Sequence, residues 1–329
     1  MISRLHHRRR ILAGALAVPL AGAFQRAFAQ SGWPDRPVKL VLGYPPAGAA
    51  DGVSRPLEPK LQSVLGQPIL FDYRPGAGAT VAADFTAKAP PDGYTLHIID
   101  SGPMTILPNG KQLPYDPFKS FTPIGMVCAG GTLVVAHPSV TANTLQELIA
   151  MMKARPGALS YGTSGIGGAG HLAAELLQSS TGTQMIHVPY KGGSQAVTDL
   201  VGGQVPLLFS SMATAIPYVQ SKKIKAIAVT YPSRASALPD TPTVAESGIA
   251  GFDASVWFAM VGPAGLPSGI VERANQALNA ALAESSVQEA LRKQGYEPVS
   301  GSPGDLARQI KADHEKWGKV IQQAKISFG

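Results

Sequence analysis

The chain has 329 residues, more than one hydrophobic core usually serves, so two lobes are expected. Its formal net charge is +7, but Arg4, Arg8, Arg9, Arg10 and Arg26 fall in residues 1–29, which hold no acid, so the remainder carries only +2. That near-balance removes the electrostatic case for nucleic-acid binding, and the single cysteine, Cys128, excludes an internal disulfide.

In chain order, the first element is a leader. Arg4, Arg8, Arg9 and Arg10 precede an apolar run from Ile11 to Phe24, and Ala27-Phe28-Ala29 places small residues at alternate positions. Charged, apolar and small-residue zones in that order make a secretory signal, with cleavage expected after Ala29. The apolar run is shorter than the ~20 residues needed to cross a bilayer. His7-Arg8-Arg9-Arg10-Ile11-Leu12 fits a twin-arginine signal as well as an ordinary basic leader. No later segment is long and apolar enough for an anchor, so a periplasmic location is expected.

After the leader, Val38–Gly43 reads as a buried strand and Tyr44–Asp51 as a Pro/Gly/Ala turn. Gly52–Leu65 reads as a helix, Pro68–Asp72 as a strand, Thr80–Lys88 as a helix and Tyr94–Ile99 as a strand. A second unit opens at Leu133–Ala136. Thr144 caps a helix through Ala154, with the Thr-x-x-Glu spacing of a capping box at Glu147. Leu159–Thr163 is a strand, Gly165–Gly170 a glycine loop and His171–Ser180 a helix. Gln184–Val188, Val205–Phe209 and Ile224–Thr230 are further strands, and the chain from Pro267 on is mostly helical. Strand–helix alternation of this kind predicts α/β lobes with largely parallel sheets.

Two strand-to-helix loops carry the chemistry. They are Tyr44-Pro-Pro-Ala-Gly-Ala-Ala-Asp51 and Gly162-Thr-Ser-Gly-Ile-Gly-Gly-Ala-Gly-His171. Small residues let backbone N–H groups approach a ligand, and a helix N-terminus adds unpaired donors and partial positive charge, so both loops suit an anion. Gly165-x-Gly167-x-x-Gly170 matches a dinucleotide fingerprint, but no acid ends the following strand, where His187, Val188, Pro189 and Tyr190 stand. A hydrolase is a weak alternative: Ile166 breaks the G-x-S-x-G pattern at Ser164, and no acid is placed to orient His171. The histidines form no metal-ligand motif, and no metal or cofactor is expected. Tyr190 and Trp257 are aromatic residues suited to a cleft wall.

The motifs of the whole chain resemble the substrate-binding proteins of tripartite tricarboxylate transporters, the Bug receptors. The matches include YPPAGAADGVSR from Tyr44, RPGAG from Arg74, PDGYTL from Pro91 and LPYDP from Leu113. Tyr161–Leu172, VPYKGG from Val188, DLVGGQV from Asp199, PDTPTVAESG from Pro239 and Trp257–Pro267 complete them. The resemblance implies an α/β two-lobed periplasmic binding protein of type II, a flytrap with a hinged cleft. It is expected to be a monomer and not an enzyme. Lobe one would be residues 30–131 plus 254–329, and lobe two 132–253. The implied function is capture of a small carboxylate and delivery to integral-membrane transporter subunits. A sensor that presents the ligand to a signalling partner would share the fold.

The resemblance also implies where the carboxylate sits: Gly48 and Asp51 in the first loop, and Ser164, Gly165 and Gly168 in the second. Asp51, itself an anion, is read as an N-cap or loop-fixing residue. Tyr44, Ser101, His171, Tyr190 and Ser210 complete the candidate ligand-binding set. The chain departs from the family pattern at several points. Ala47 replaces a glycine, Tyr73 an asparagine, and Ala79-Thr80-Val81-Ala82 a glycine-rich stretch. Ser210 stands where many relatives carry an aspartate, and Asp100–Met104 departs from a small-hydroxyl run. Loss of the acid at Ser210 leads to the expectation of a carboxylate without an ammonium group.

Overall fold

The computed structural model describes residues 32–328 except Ala47 and Lys191; the expected leader, its cleavage site and the Ala47 departure lie outside the described residues. Pro34–Gly329 form one compact unit. The chain runs through β1 (Val38–Leu42), α1 (Ala49–Ser54), α2 (Glu58–Leu65), β2 (Ile69–Tyr73), α3 (Thr80–Ala87) and β3 (Thr95–Asp100). A one-turn π-helix, Gly102–Ile106, and a 3-10 turn, Leu107–Asn109, lead to β4 (Phe121–Gly130). Then come β5 (Thr132–Ala136), α4 (Leu145–Ala154), β6 (Ser160–Thr163), α5 (Ala169–Thr181) and β7 (Ile186–Pro189). They are followed by α6 (Gly193–Val201), β8 (Leu207–Ser211), α7 (Met212–Gln220) and β9 (Lys225–Val229). β10 (Val256–Pro263), α8 (Ser268–Leu282), α9 (Ser285–Lys293), β11 (Tyr296–Pro298) and α10 (Pro303–Gln323) complete the fold.

The strands form two sheets, ordered β11-β4-β10-β3-β1-β2 and β7-β6-β8-β5-β9. The expectation of largely parallel sheets is corrected: both are mixed. β1 pairs parallel with β2 and β3, but β10 runs antiparallel to β3 and β4. In the second sheet β6 pairs parallel with β7 and β8, while β5 is antiparallel to β8 and β9. The reversed strands β5 and β10 are the ones the chain enters on passing between sheets, and β11 is reversed as well, antiparallel to β4. β4 and β5 are separated by Gly131 alone, and the return path runs from β9 to β10. β5 is buried throughout and β10 nearly so, which gives continuous apolar runs instead of a period-two pattern.

The two passages lie side by side. Thr132 N–H donates to Thr230 Oγ1 at 2.8 Å, Thr230 N–H to Thr132 O at 3.0 Å, and Ala254 N–H to Thr230 O at 3.0 Å. Gly131 has no room for a side chain, since a Cβ there would lie 2.7 Å from Tyr231 N.

α10 serves both cores. Leu306 and Ile310 pack with Met104, Trp257 and Ala259 of the first sheet's side, whereas Trp317, Val320 and Ile321 join Tyr161, Leu172 and Phe209 of the second. Its start is a capping box: Ser302 Oγ accepts from Asp305 N–H, and Asp305 accepts from Ser302 N–H. Of the capping box expected at Thr144 only the cap itself forms, accepting from Glu147 N–H at 3.2 Å; the Glu147 carboxylate accepts from Asn143 N–H at 2.6 Å instead. Among the described residues no helix is long and apolar enough to cross a membrane.

Candidate functional site

A cavity of about 330 Å³ opens where the ends of β1, β3, β6 and β8 converge with β10 and β11. One wall is the glycine loop between β6 and α5, represented by Ser164, Gly167, Gly168 and Ala169. Gly168 is the N-cap of the 13-residue α5, and no side chain caps that helix. Its first-turn N–H groups and the helix dipole are therefore available to an anion.

The loop is held from behind. Gly167 N–H donates to His171 Nδ1 at 3.0 Å, which fixes the neutral imidazole with its proton on Nε2. Burial holds the His171 pKa down at about 4, in agreement with that tautomer. His171 stacks on His187 with ring centroids 3.9 Å apart, and His187 stacks on Tyr161 at 5.0 Å. Thr163 Oγ1 donates to Gly165 O at 3.0 Å, accepts from Gly165 N–H at 3.2 Å, and lies 2.7 Å from His187 Nε2. Burial, then neighbouring His171, lowers His187 to about 4 as well. Gly170 faces the carbonyl of Phe209 so closely that no Cβ fits, which seats the start of α5 on β8.

The opposite wall carries Tyr44, Ala49, Asp100 and Ser101. The Tyr44 hydroxyl donates to Asp100 Oδ2 at 3.1 Å, and Gly102 N–H donates to the same oxygen at 3.2 Å. Burial raises the Asp100 carboxyl to about 6, against the opposing pull of those two donors and of its own backbone N–H. Burial, then Asp100, raises Tyr44 well above its ordinary value. Ile106, Leu107, Val256, Trp257 and Phe258 supply apolar cover. Among the described lining residues there is no lysine or arginine, and Asp100 is the sole acid.

Of the candidate set, Tyr44, Ser101, Ser164 and Gly168 line the cavity. Gly48 sits beside the lining residue Ala49 as the N-cap of α1. Gly165 is in the second loop at φ +144°, a backbone angle that favours glycine, but is not itself a lining residue. Asp51 is not an N-cap. It lies inside α1 and accepts from the Tyr73 hydroxyl at 2.5 Å and from Arg55 Nε at 3.0 Å. The departure at Tyr73 thus supplies a partner that ties α1 to β2.

Three candidates lie off the cavity. His171 is buried behind the loop, and with Nδ1 occupied by Gly167 it offers Ser164 no base on that nitrogen. The Tyr190 ring covers Gly162, where a Cβ would stand 3.0 Å from Cε2. Ser210 is paired opposite Leu133 and buried, with no partner for Oγ among the described residues. Its neighbour Ser211 lines the cavity instead, because successive strand residues face opposite ways. Ser210 is therefore not among the lining residues, while Asp100 places an acid there. Sequence reasoning missed Thr132, Ser211 and Tyr296, for which no local motif gives a signal, and Phe258, which lies within the Trp257–Pro267 motif.

Two α/β lobes around such a cavity, fronted by an uncapped helix, make the fold of a two-lobed periplasmic binding protein, as in the solved structures that this chain resembles. The chain belongs to the tripartite tricarboxylate transporter receptor family, TctC, whose model matches residues 53–326. That is a family of periplasmic solute-binding receptors, not of enzymes. The structure of the periplasmic binding protein BugD is 32% identical, covers 90% of this chain and 99% of that one, and superposes with a TM-score of 0.76. Rpa4515 of R. palustris, solved with adipate, is 34% identical, with coverage of 90% and 99% and a TM-score of 0.79. MatC of Rhodopseudomonas palustris, with bound malate, is 29% identical, with coverage of 88% and 100% and a TM-score of 0.75.

Proposed function

We propose that this chain is exported, loses its leader after Ala29, and captures a small carboxylate in the periplasm for delivery to integral-membrane transporter subunits. The observation that carries the reading is the uncapped N-terminus of α5 facing a cavity of about 330 Å³ that no lysine or arginine among the described residues lines. A carboxylate there is held by amide dipoles and hydroxyls such as Ser164, while the apolar wall around Trp257 covers its carbon skeleton. The adipate and malate bound by two relatives support the ligand class.

Residues 30–131 with 254–329 act as one lobe and 132–253 as the other, hinged where Gly131 and Thr132 lie against Thr230. Closure brings the β3 wall toward the glycine loop and is biased by ligand contacts with both. The protein works as a monomer. A thermal-shift screen over mono-, di- and tricarboxylates, followed by calorimetry, tests the reading. A true ligand at 100 times its Kd raises stability by about 2.7 kcal/mol. A screen in which no carboxylate shifts the melting temperature, while neutral or cationic solutes do, would sink it.

A further inference from the structure

Asp100 is the acid of a cavity whose ligand, on the reading above, is itself an anion. Its setting is built, since both the Tyr44 hydroxyl and Gly102 N–H donate to Oδ2. A Cβ at Gly102 would stand only 2.9 Å from that oxygen, so the turn after β3 closes tightly around the carboxylate. An ionised carboxylate accepts about four hydrogen bonds. Tyr44 and Gly102 supply two, both to one oxygen, and the backbone N–H of Asp100 itself adds a third, which leaves capacity for one more; no lysine or arginine among the described residues lines the cavity to neutralise the charge.

We propose that Asp100 is a specificity-determining residue that selects a carboxylate whose far end is a hydrogen-bond donor, a hydroxyl or an ammonium, over one that ends in a second carboxylate. The ligand's own carboxylate lies on the amides of α5, and its donor completes the unfilled acceptor capacity of Asp100. A second carboxylate in that place meets a like charge in a half-buried site, where such repulsion is screened less than in open water. The inference rests on the carboxylate reading and deepens it.

Acidification checks the charge itself. The titratable groups that face Asp100 are the phenols Tyr44, Tyr115 and Tyr296, from three other segments, and each stays neutral as pH falls from 7 to 5. With its pKa near 6, the carboxyl then becomes mainly protonated and can donate to a diacid.

The experiment is calorimetry at pH 7.5 on two matched series. One is hexanoate, 6-hydroxyhexanoate, 6-aminohexanoate and adipate; the other is butyrate, 4-hydroxybutyrate, 4-aminobutyrate and succinate. In the chain length that fits, the hydroxy or amino acid is expected to bind the wild type at least tenfold tighter than the diacid, which is about 1.4 kcal/mol. Asp100→Asn is expected to bind the diacid at least tenfold tighter than the wild type does, with an unreduced melting temperature. At pH 5 the wild type, but not Asp100→Asn, is expected to narrow its discrimination. Tighter binding of the diacid by the wild type at pH 7.5, or an identical preference in Asp100→Asn, overturns the role of Asp100 and leaves the carboxylate reading standing. If no acid of either series binds either protein, this inference falls, while the carboxylate reading is decided separately by the thermal-shift screen.

Discussion

At the residue scale, the clearest example of a buried charge made tolerable is Asp313. It is 2% exposed, yet Trp257 Nε1 donates to Oδ2 at 2.6 Å, Gln309 Nε2 donates to it at 2.9 Å, and Lys316 Nζ lies 2.9 Å from Oδ1. Trp257 lines the cavity, so this acid on α10 fixes a wall of the site from behind. Asp313→Ala strands the indole N–H and is expected to lower stability by about 2–4 kcal/mol, with Asp313→Asn costing less because it keeps an acceptor. Urea unfolding of both variants checks this. None of it is legible in the sequence, where Asp313 stands 56 residues from Trp257. Ser164 and Gly168, by contrast, were legible as members of a glycine loop before a helix. Ser210 and Ser211 differ only in which face of β8 they occupy, and sequence alone gives no register to choose between them.

At the scale of elements, strands with an apolar run between turn residues were readable: β1, β3 and β5 stand where Val38–Gly43, Tyr94–Ile99 and Leu133–Ala136 were expected. β4 and β10 were not assigned. Both are buried along most of their length, and such runs lack the alternation that marks a strand. β11 was hidden inside a helical region, although it brings Tyr296 to the cavity. The glycine loop also depends on a distant element. The ring of Phe328 lies against both Gly110 and Gly167, and a methyl group at either glycine would overlap it. Gly167 moreover has φ +74°. Gly167→Ala is therefore expected to destabilise the fold by about 2 kcal/mol and to weaken carboxylate binding more than tenfold. Parallel melting and calorimetry separate the two effects; wild-type affinity in that variant would mean the loop conformation is not needed for binding.

At the scale of the whole molecule, two-lobed architecture followed from chain length and motif order, while mixed pairing followed from passages between sheets that no local signal marks. Proton linkage also belongs to this scale. Burial lowers His97 to about 3 and His171 and His187 to about 4, against an ordinary value of 6.5. The unfolded chain therefore binds more protons than the folded one between those values. Their contribution is full above pH 6.5, declines as pH falls, and is gone below about 4, or about 3 for His97. Asp100 acts in the opposite sense, because its raised pKa favours the folded state below about 4 and that gain is lost as pH rises to about 6. Three groups against one give a net fall in stability from pH 7 to pH 4, which denaturant unfolding across that range measures. A flat or rising profile would contradict the buried neutral histidines.

The central claim is that a carboxylate sits on the N-terminus of α5 across the cavity from Asp100. It is tested most directly by a crystal structure with a carboxylate drawn from the thermal-shift screen. The expected result is a carboxylate oxygen about 2.7–3.2 Å from the first-turn amide nitrogens that follow Gly168. A ligand bound with its carboxylate away from those amides, or outside the cavity altogether, would contradict it.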